Sequence, residues 1–200
     1  MTVKNSENVL LQDIYVNNTS ENDSSARNTD GADTIYAKNI TFNRWHIVNG
    51  DDGIAVKANS SDIFIYDTIF EDGQGLAIGS IGQFLDWYEY IENVHAKNIT
   101  LLGTRWAIYN DESGDCDSSL FHVGPAIAFR NHTGTTTATE AADLQCSADA
   151  GGCDGVDISD IDVVIVDING TVVSGYECSN VLEPTGFVCD DDDDDDDEEV

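Results

Sequence analysis

Cations are scarce in this sequence. Among its 200 residues, 8 are Lys or Arg and 39 are Asp or Glu, a formal net charge of −31 at pH 7. Nucleic-acid binding draws its affinity from phosphates neutralised by Lys and Arg, so no nucleic-acid partner is expected. Proline occurs twice and methionine once. No apolar run approaches the roughly 20 residues a membrane span needs. The best, Val163-Val164-Ile165-Val166, is cut off by Asp162 and Asp167, so no membrane partner is expected either. Met1-Thr2-Val3-Lys4-Asn5-Ser6 lacks the apolar core of a signal peptide. No stretch sustains a period of 3.6 residues, which argues against helical fold classes.

What is present is globular in composition, at 40% hydrophobic. The expected organisation is one domain over residues 1–189 and an acidic tail over residues 190–200. The tail carries ten carboxylates and nothing to bury, which predicts disorder. The body remains acidic at −21 without it, a balance that suits solubility or work at acidic pH. Five cysteines occur, and two pairs, Cys146/Cys153 and Cys178/Cys189, are close in sequence. Such local loops read as disulfides of an oxidising compartment; Cys116 is left over. Neither pair has zinc-site spacing to histidines, so no metal is expected. Eight Asn-x-Ser/Thr sequons, at Asn17, Asn18, Asn22, Asn39, Asn59, Asn98, Asn131 and Asn169, point to glycosylation. Together these features predict a secreted, extracellular protein whose signal peptide is absent from this chain, expected to be a monomer.

A weak repeat runs through the body. Its anchors, Val9, Ile35, Ile63 and Val94, are 26, 28 and 31 residues apart, and Val156 follows after 62. Each unit alternates apolar and polar residues and is rich in β-branched side chains, which argues strands. Gly and Asn between units argue turns. Short strands at a period of twenty to thirty residues predict an all-β fold, a right-handed parallel β-helix whose apolar side chains stack coil on coil. A β-sandwich is the alternative, but its turn signals recur more densely. Residues 131–154 read as irregular.

Chemistry concentrates between Asn28 and Gln83. Three segments stand out: Asn28-Thr29-Asp30-Gly31, Asn49-Gly50-Asp51-Asp52-Gly53 and Gly73-Gln74-Gly75-Leu76-Ala77-Ile78-Gly79-Ser80. Asp30, Asp52 and Gln74 are spaced by 22 residues, twice in succession. In a chain that coils once per twenty-odd residues these positions stack on one wall, with strands about 4.8 Å apart. That brings Asp30, Asp51 and Asp52 together. Crowded carboxylates divide into one that keeps a proton and others that stay ionised. An acid and a base in one site are what glycosidic hydrolysis requires. The aromatic rim of residues 84–92, Phe84 to Glu92, just after the Gly-rich segment, suits either a sugar or the core.

In this order and spacing the three segments resemble glycoside hydrolase family 28, the polygalacturonases and rhamnogalacturonan-acting relatives. Lys57-Ala58-Asn59-Ser60, Gly79 to Gln83, and the end from Gly175 to Cys189 resemble its fungal exo-acting branch. The resemblance covers nearly everything but the acidic tail and implies a parallel β-helix. It implies Asp51 as the general acid and Asp30 with Asp52 as the base that activates water, with inversion at the anomeric carbon. It also implies a pectic polysaccharide as partner and no cofactor.

Three departures matter. Gln74 stands where the family commonly has His, so an orienting role survives and a titrating one does not. The basic pair that meets the substrate carboxylate is missing: Ala107-Ile108-Tyr109-Asn110-Asp111 begins that pattern and then runs acidic, leaving Lys57 and Arg105 as candidates. Gly114 to Phe121 resembles a segment normally found later, as though a coil were deleted near Asn110. With the short start, these departures predict a truncated member lacking N-terminal coils. The expectation is an exo-polygalacturonase type of pectin hydrolase. The alternatives are an exo-acting rhamnogalacturonan hydrolase or rhamnosidase, or an inert fragment lacking its basic clamp.

Overall fold

The computed structural model describes residues 1–21, 25–84, 86–112, 120–165 and 171–190. Asn22, Cys116, Asn169 and the tail from Asp191 onward lie outside the described residues. The chain is all β. Every ladder between named strands is parallel, and the strands pair across coils. The result is a solenoid whose successive coils add one strand to each wall. One wall is a seven-stranded sheet in the spatial order Thr2–Lys4, Ala32–Ile35, Asp52–Val56, Gly75–Ile81, Ile108–Glu112, Glu140–Gln145 and Gly175–Ser179. The opposite wall is a nine-stranded sheet whose longest members are Ser60–Asp72 and Glu89–Thr104.

The core is the inside of the tube. Successive side chains of a strand point to opposite faces, so every second residue is turned inward and stacks on its counterpart one coil away. On the first wall Ala32, Ile54, Leu76, Ile108 and Ala142 form one such column, each at most 1% exposed. On the second, Val9, Ile40, Ile63, Val94, Ile127 and Val156 form another. Here the repeat read from sequence needs a correction. Ile40, not Ile35, is the partner of Val9, while Ile35 pairs with Lys4 on the other wall. Both isoleucines sit in β-branched alternating segments six residues long or shorter, and periodicity alone does not say which wall a strand joins. Residues 131–154 also proved regular, with strands Ile127–Thr136 and Glu140–Gln145. Two of the inward positions, His132 and Thr136, are themselves polar, which hid the alternation.

Corners of the second wall explain the recurrent asparagines. Two stacks of residues take the left-handed conformation: Asn8, Asn39, Asp62 and Asn93 in one, and Asp13, Arg44, Asp67, Asn98, Asn131 and Asp160 in the other. Asn and Asp tolerate this conformation better than other side chains with a Cβ. They also bond up the stack. Asn39 Nδ2 donates to Asn8 Oδ1 at 2.7 Å, Asn98 Nδ2 to Asp67 at 2.9 Å and Asn131 Nδ2 to Asn98 Oδ1 at 2.7 Å. A corner Asn, an inward core residue and an outward Thr together spell a sequon. Three of the eight sequons, at Asn39, Asn98 and Asn131, therefore follow from the coil geometry itself.

Both expected disulfides form, Cys146–Cys153 and Cys178–Cys189, with Cα separations of 5.6 and 5.5 Å. Among the described residues no helix is long and apolar enough to cross a membrane.

One core position is ionisable. His132 is fully buried between Ile99 and Ile161 of the neighbouring coils. Burial pushes its pKa down to about 4, against a weaker opposing pull from the Ala96 backbone. The unfolded chain takes up this proton near pH 6.5, so the titration itself costs no stability above that pH. Stability is lost as pH falls from about 6.5 to about 4, by about 3 kcal/mol in total. Urea midpoints at pH 7 and pH 4 should therefore fall less for His132→Leu than for the parent. Equal falls would remove His132 as the cause.

Candidate active site

The site lies where consecutive coils enter the seven-stranded wall. Asp30 precedes the strand Ala32–Ile35, Asp51 and Asp52 open Asp52–Val56, and Gln74 precedes Gly75–Ile81. Arg105 and Trp106 precede Ile108–Glu112. Backbone bonds lock these entries to one another. Gly31 N–H donates to Asp52 O at 3.0 Å, Gln74 N–H to Asp51 O at 2.9 Å and Arg105 N–H to Gly73 O at 2.9 Å. Close approach explains the glycines. A Cβ on Gly53 would sit 2.3 Å from the Phe70 ring; one on Gly73, at φ +66°, would sit 2.4 Å from Asp51 O. Buried Asn49 pins the turn by donating from Nδ2 to Asp52 O at 2.6 Å and to Thr29 O at 3.1 Å.

The structure brings Asp30, Asp51 and Asp52 together, each offering a carboxylate oxygen within 4.8 Å of the other two. Their surroundings differ. Asp51 is held by backbone donors on both oxygens: Asn28 N–H on Oδ2, and Asp52 N–H on Oδ1 at 3.1 Å. Asp52 is 5% exposed and accepts the Tyr109 hydroxyl on Oδ1. Asp30 faces Lys57, whose Nζ lies 3.2 Å from it and 2.8 Å from Asp33. Burial, and then the neighbouring Asp33 carboxylate, push Asp30 up to about 6, with Lys57 pulling the other way. Burial also works to raise Asp33. Its hydrogen bonds to Asp30 and Lys57, and the ammonium charge, outweigh that and hold it below the ordinary range.

A one-residue shift between the strands Asp52–Val56 and Gly75–Ile81 sets Asp52 opposite Gly75. Gln74 therefore stands beside Asp51, not in step with Asp52 as the 22-residue spacing suggests. It lines a cleft of about 500 Å³ with Asn49, Gly50, Asp72, Arg105 and Thr137. Its Oε1 is buried without a hydrogen-bond partner. Arg105 lies over the Trp106 ring, 3.9 Å from its centroid, and that ring stacks on Tyr109 with centroids 4.8 Å apart. The small side chains of Ala55 and Ala77, packed in one cluster with Tyr109, leave room for these rings on the outer face of the wall. On the Asp30 side a second recess of about 510 Å³ is lined by Asn28, Asp33, Lys57, Ser80 and Gln83.

Of the residues singled out in the sequence, the three aspartates form one cluster, Lys57 joins it and Gln74 with Arg105 lines the adjoining cleft. Lys57 is committed to Asp30 and Asp33. Asp33, Trp106 and Tyr109 were not recognised as site residues from sequence. Asp33 was legible in retrospect: strand alternation places it outward beside Ala55, on the strand that leads to Lys57. The carboxylates form a donor set dense enough for a cation, but the Lys57 ammonium already neutralises its Asp30 side.

Residues 1–110 match the model of glycosyl hydrolases family 28. The match stops at Asn110, where the family pattern also departs in the sequence. The chain is similar to alpha-L-rhamnosidase rgxB of Aspergillus niger, 34% identical over 94% of this chain and 55% of the relative. It is 38% identical to exopolygalacturonase X of Aspergillus niger over 50% of this chain and 23% of the relative. An exopolygalacturonase of Cochliobolus carbonum is 31% identical over 66% of this chain and 30% of the relative. The chain thus spans about half the length of the rhamnosidase and less of the others. The crystal structure of endo-xylogalacturonan hydrolase from Aspergillus tubingensis shares the fold, with a TM-score of 0.66 at 19% identity, covering 92% of this chain and 59% of that one. With the family model spanning more than half of its residues, the chain belongs to glycosyl hydrolases family 28.

Proposed function

We propose that this chain is an exo-acting glycosidase of pectic polysaccharide. The cluster of Asp30, Asp51 and Asp52 carries this reading. Asp51, fixed by two backbone donors, protonates the leaving oxygen. Asp52, oriented by Tyr109, and Asp30 work on the attacking water. Gln74, which lines the cleft, orients the sugar through its side-chain amide. The exposed rings of Phe84 and Trp87, which follow Gln83 in the chain, suit stacking on a pyranose face. Secretion and glycosylation of the natural protein are part of the same proposal. Among the described residues, Asn17 and Asn18 are the exposed sequons outside the corner ladders.

The terminal sugar on this reading is galacturonic acid, because Arg105 offers a guanidinium to a uronate in the cleft. A second reading is favoured by two observations. Lys57 is taken up by Asp30 and Asp33, and the rhamnosidase similarity spans 94% of this chain. A neutral terminal rhamnose avoids repulsion from Asp72 and the aspartate cluster.

Reducing-sugar release from polygalacturonate and from rhamnogalacturonan at mildly acidic pH should be seen on one polymer. It should fall by about 10³-fold or more in Asp51→Asn. A folded, soluble parent that releases nothing from either would leave the inert-fragment reading. Arg105→Ala should raise KM about tenfold or more on polygalacturonate if the terminal sugar is a uronate, and leave KM unchanged if it is rhamnose. The carboxylate oxygens, within 4.8 Å, are close for a single displacement, which normally leaves about 6.5–9.5 Å for a water. Proton NMR of the first product should nonetheless show the inverted anomer. The retained anomer would make one carboxylate a nucleophile.

A further inference from the structure

Asp33 has no part in the reading above, yet it is built into the cluster. It projects from the outer face of the strand Ala32–Ile35 and is largely buried. Lys57 Nζ lies 2.8 Å from its Oδ1, and Thr2 Oγ1 donates to its Oδ2 at 3.1 Å. The same ammonium reaches Asp30 Oδ2 at 3.2 Å. The site therefore holds two carboxyls and one cation in a half-buried recess. Fully ionised, the trio carries a net negative charge beside Asp51 and Asp52, with little water to screen it. One proton on the pair makes the trio neutral. The other charged groups facing Asp30 are Asp51 and Asp52, and the Met1 α-ammonium, which donates to Gly31 O at 3.0 Å. Ser80 and Gln83 complete the recess and do not titrate.

We propose that Asp33 is a positioning residue that shares one proton with Asp30, with Lys57 clamping the pair. Asp30 is then a neutral hydrogen-bond donor at mildly acidic pH, and Asp52 alone takes the proton of the attacking water. Asp33, ionised, holds the shared proton on Asp30 and anchors Lys57 away from the cleft. The burial-driven rise of Asp30 and the depression of Asp33 are consistent with this division. The division of labour rests on the glycosidase reading; the shared proton does not.

Two measurements separate them. The first is a carbon-13 carboxyl titration of Asp30 by NMR on the chain itself, which needs no activity. Asp33→Asn removes the negative neighbour and should lower the Asp30 midpoint by about one pH unit or more. Lys57→Met removes the cation and should raise it. An Asp30 midpoint that moves in neither variant overturns the proposal, and so does movement in one direction for both. Either variant alone carries the test if the other fails to fold. The second is the pH profile of kcat/KM. Activity should fall as Asp30 ionises, and that limb should move to lower pH in Asp33→Asn and to higher pH in Lys57→Met, with KM little changed. A uniform loss of rate with an unmoved limb would make Asp33 merely structural. An inactive parent whose Asp30 still titrates as described would sink the glycosidase reading and leave the shared proton standing.

Discussion

The hydrogen-bonded register between successive coils is the constraint on which the rest of this molecule depends. Parallel strands about 4.8 Å apart convert distance along the chain into position along a wall. Asp30, Asp51, Gln74 and Arg105 come from different coils, yet their backbones are tied to one another by single hydrogen bonds. The same register that stacks Ile54 on Leu76 inside the tube stacks chemistry on its outer face. Any slip by one residue would turn both sets of side chains over. The packed core is therefore what positions the site.

Crowding carboxylates on such a wall is electrostatically costly, and each is compensated differently. Asp51 is served by backbone N–H groups, Asp52 by a tyrosine hydroxyl and Asp30 by an ammonium shared with Asp33. Three aspartates of one residue type thus occupy three distinct environments. The aromatic pair Trp106 and Tyr109 ties the cleft cation to this arrangement, because Arg105 lies on one ring and Asp52 is bonded to the other. The cleft guanidinium and the buried aspartate are joined through side-chain packing.

The corner ladders show the same principle serving stability alone. Asn and Asp at left-handed corners satisfy one another's amides up the stack. Because an inward core residue and an outward Thr follow Asn39, Asn98 and Asn131, the ladder writes glycosylation sequons into the sequence. A high sequon count is in this fold partly a signature of coil geometry.

Much of this was legible in the sequence. Strand alternation with corner asparagines at a period of twenty to thirty residues determined the parallel β-helix. Asp30, Asp51 and Asp52 could be placed on one wall from their spacing, and the two local cysteine pairs were correct. These properties are encoded by short-range pattern, where each coil repeats the same physical problem. What only the tertiary structure decided depends on which strands are neighbours and how they shift. Ile40 displaced Ile35 as the partner of Val9, and a one-residue shift moved Gln74 beside Asp51. Lys57, a candidate for substrate, turned out to be bonded to Asp30 and Asp33, while Tyr109 found Asp52 from 57 residues away. Spacing fixes where a Cα lies along the wall. Side-chain partners are chosen by the burial, charge and room that appear only once neighbouring coils have closed on one another.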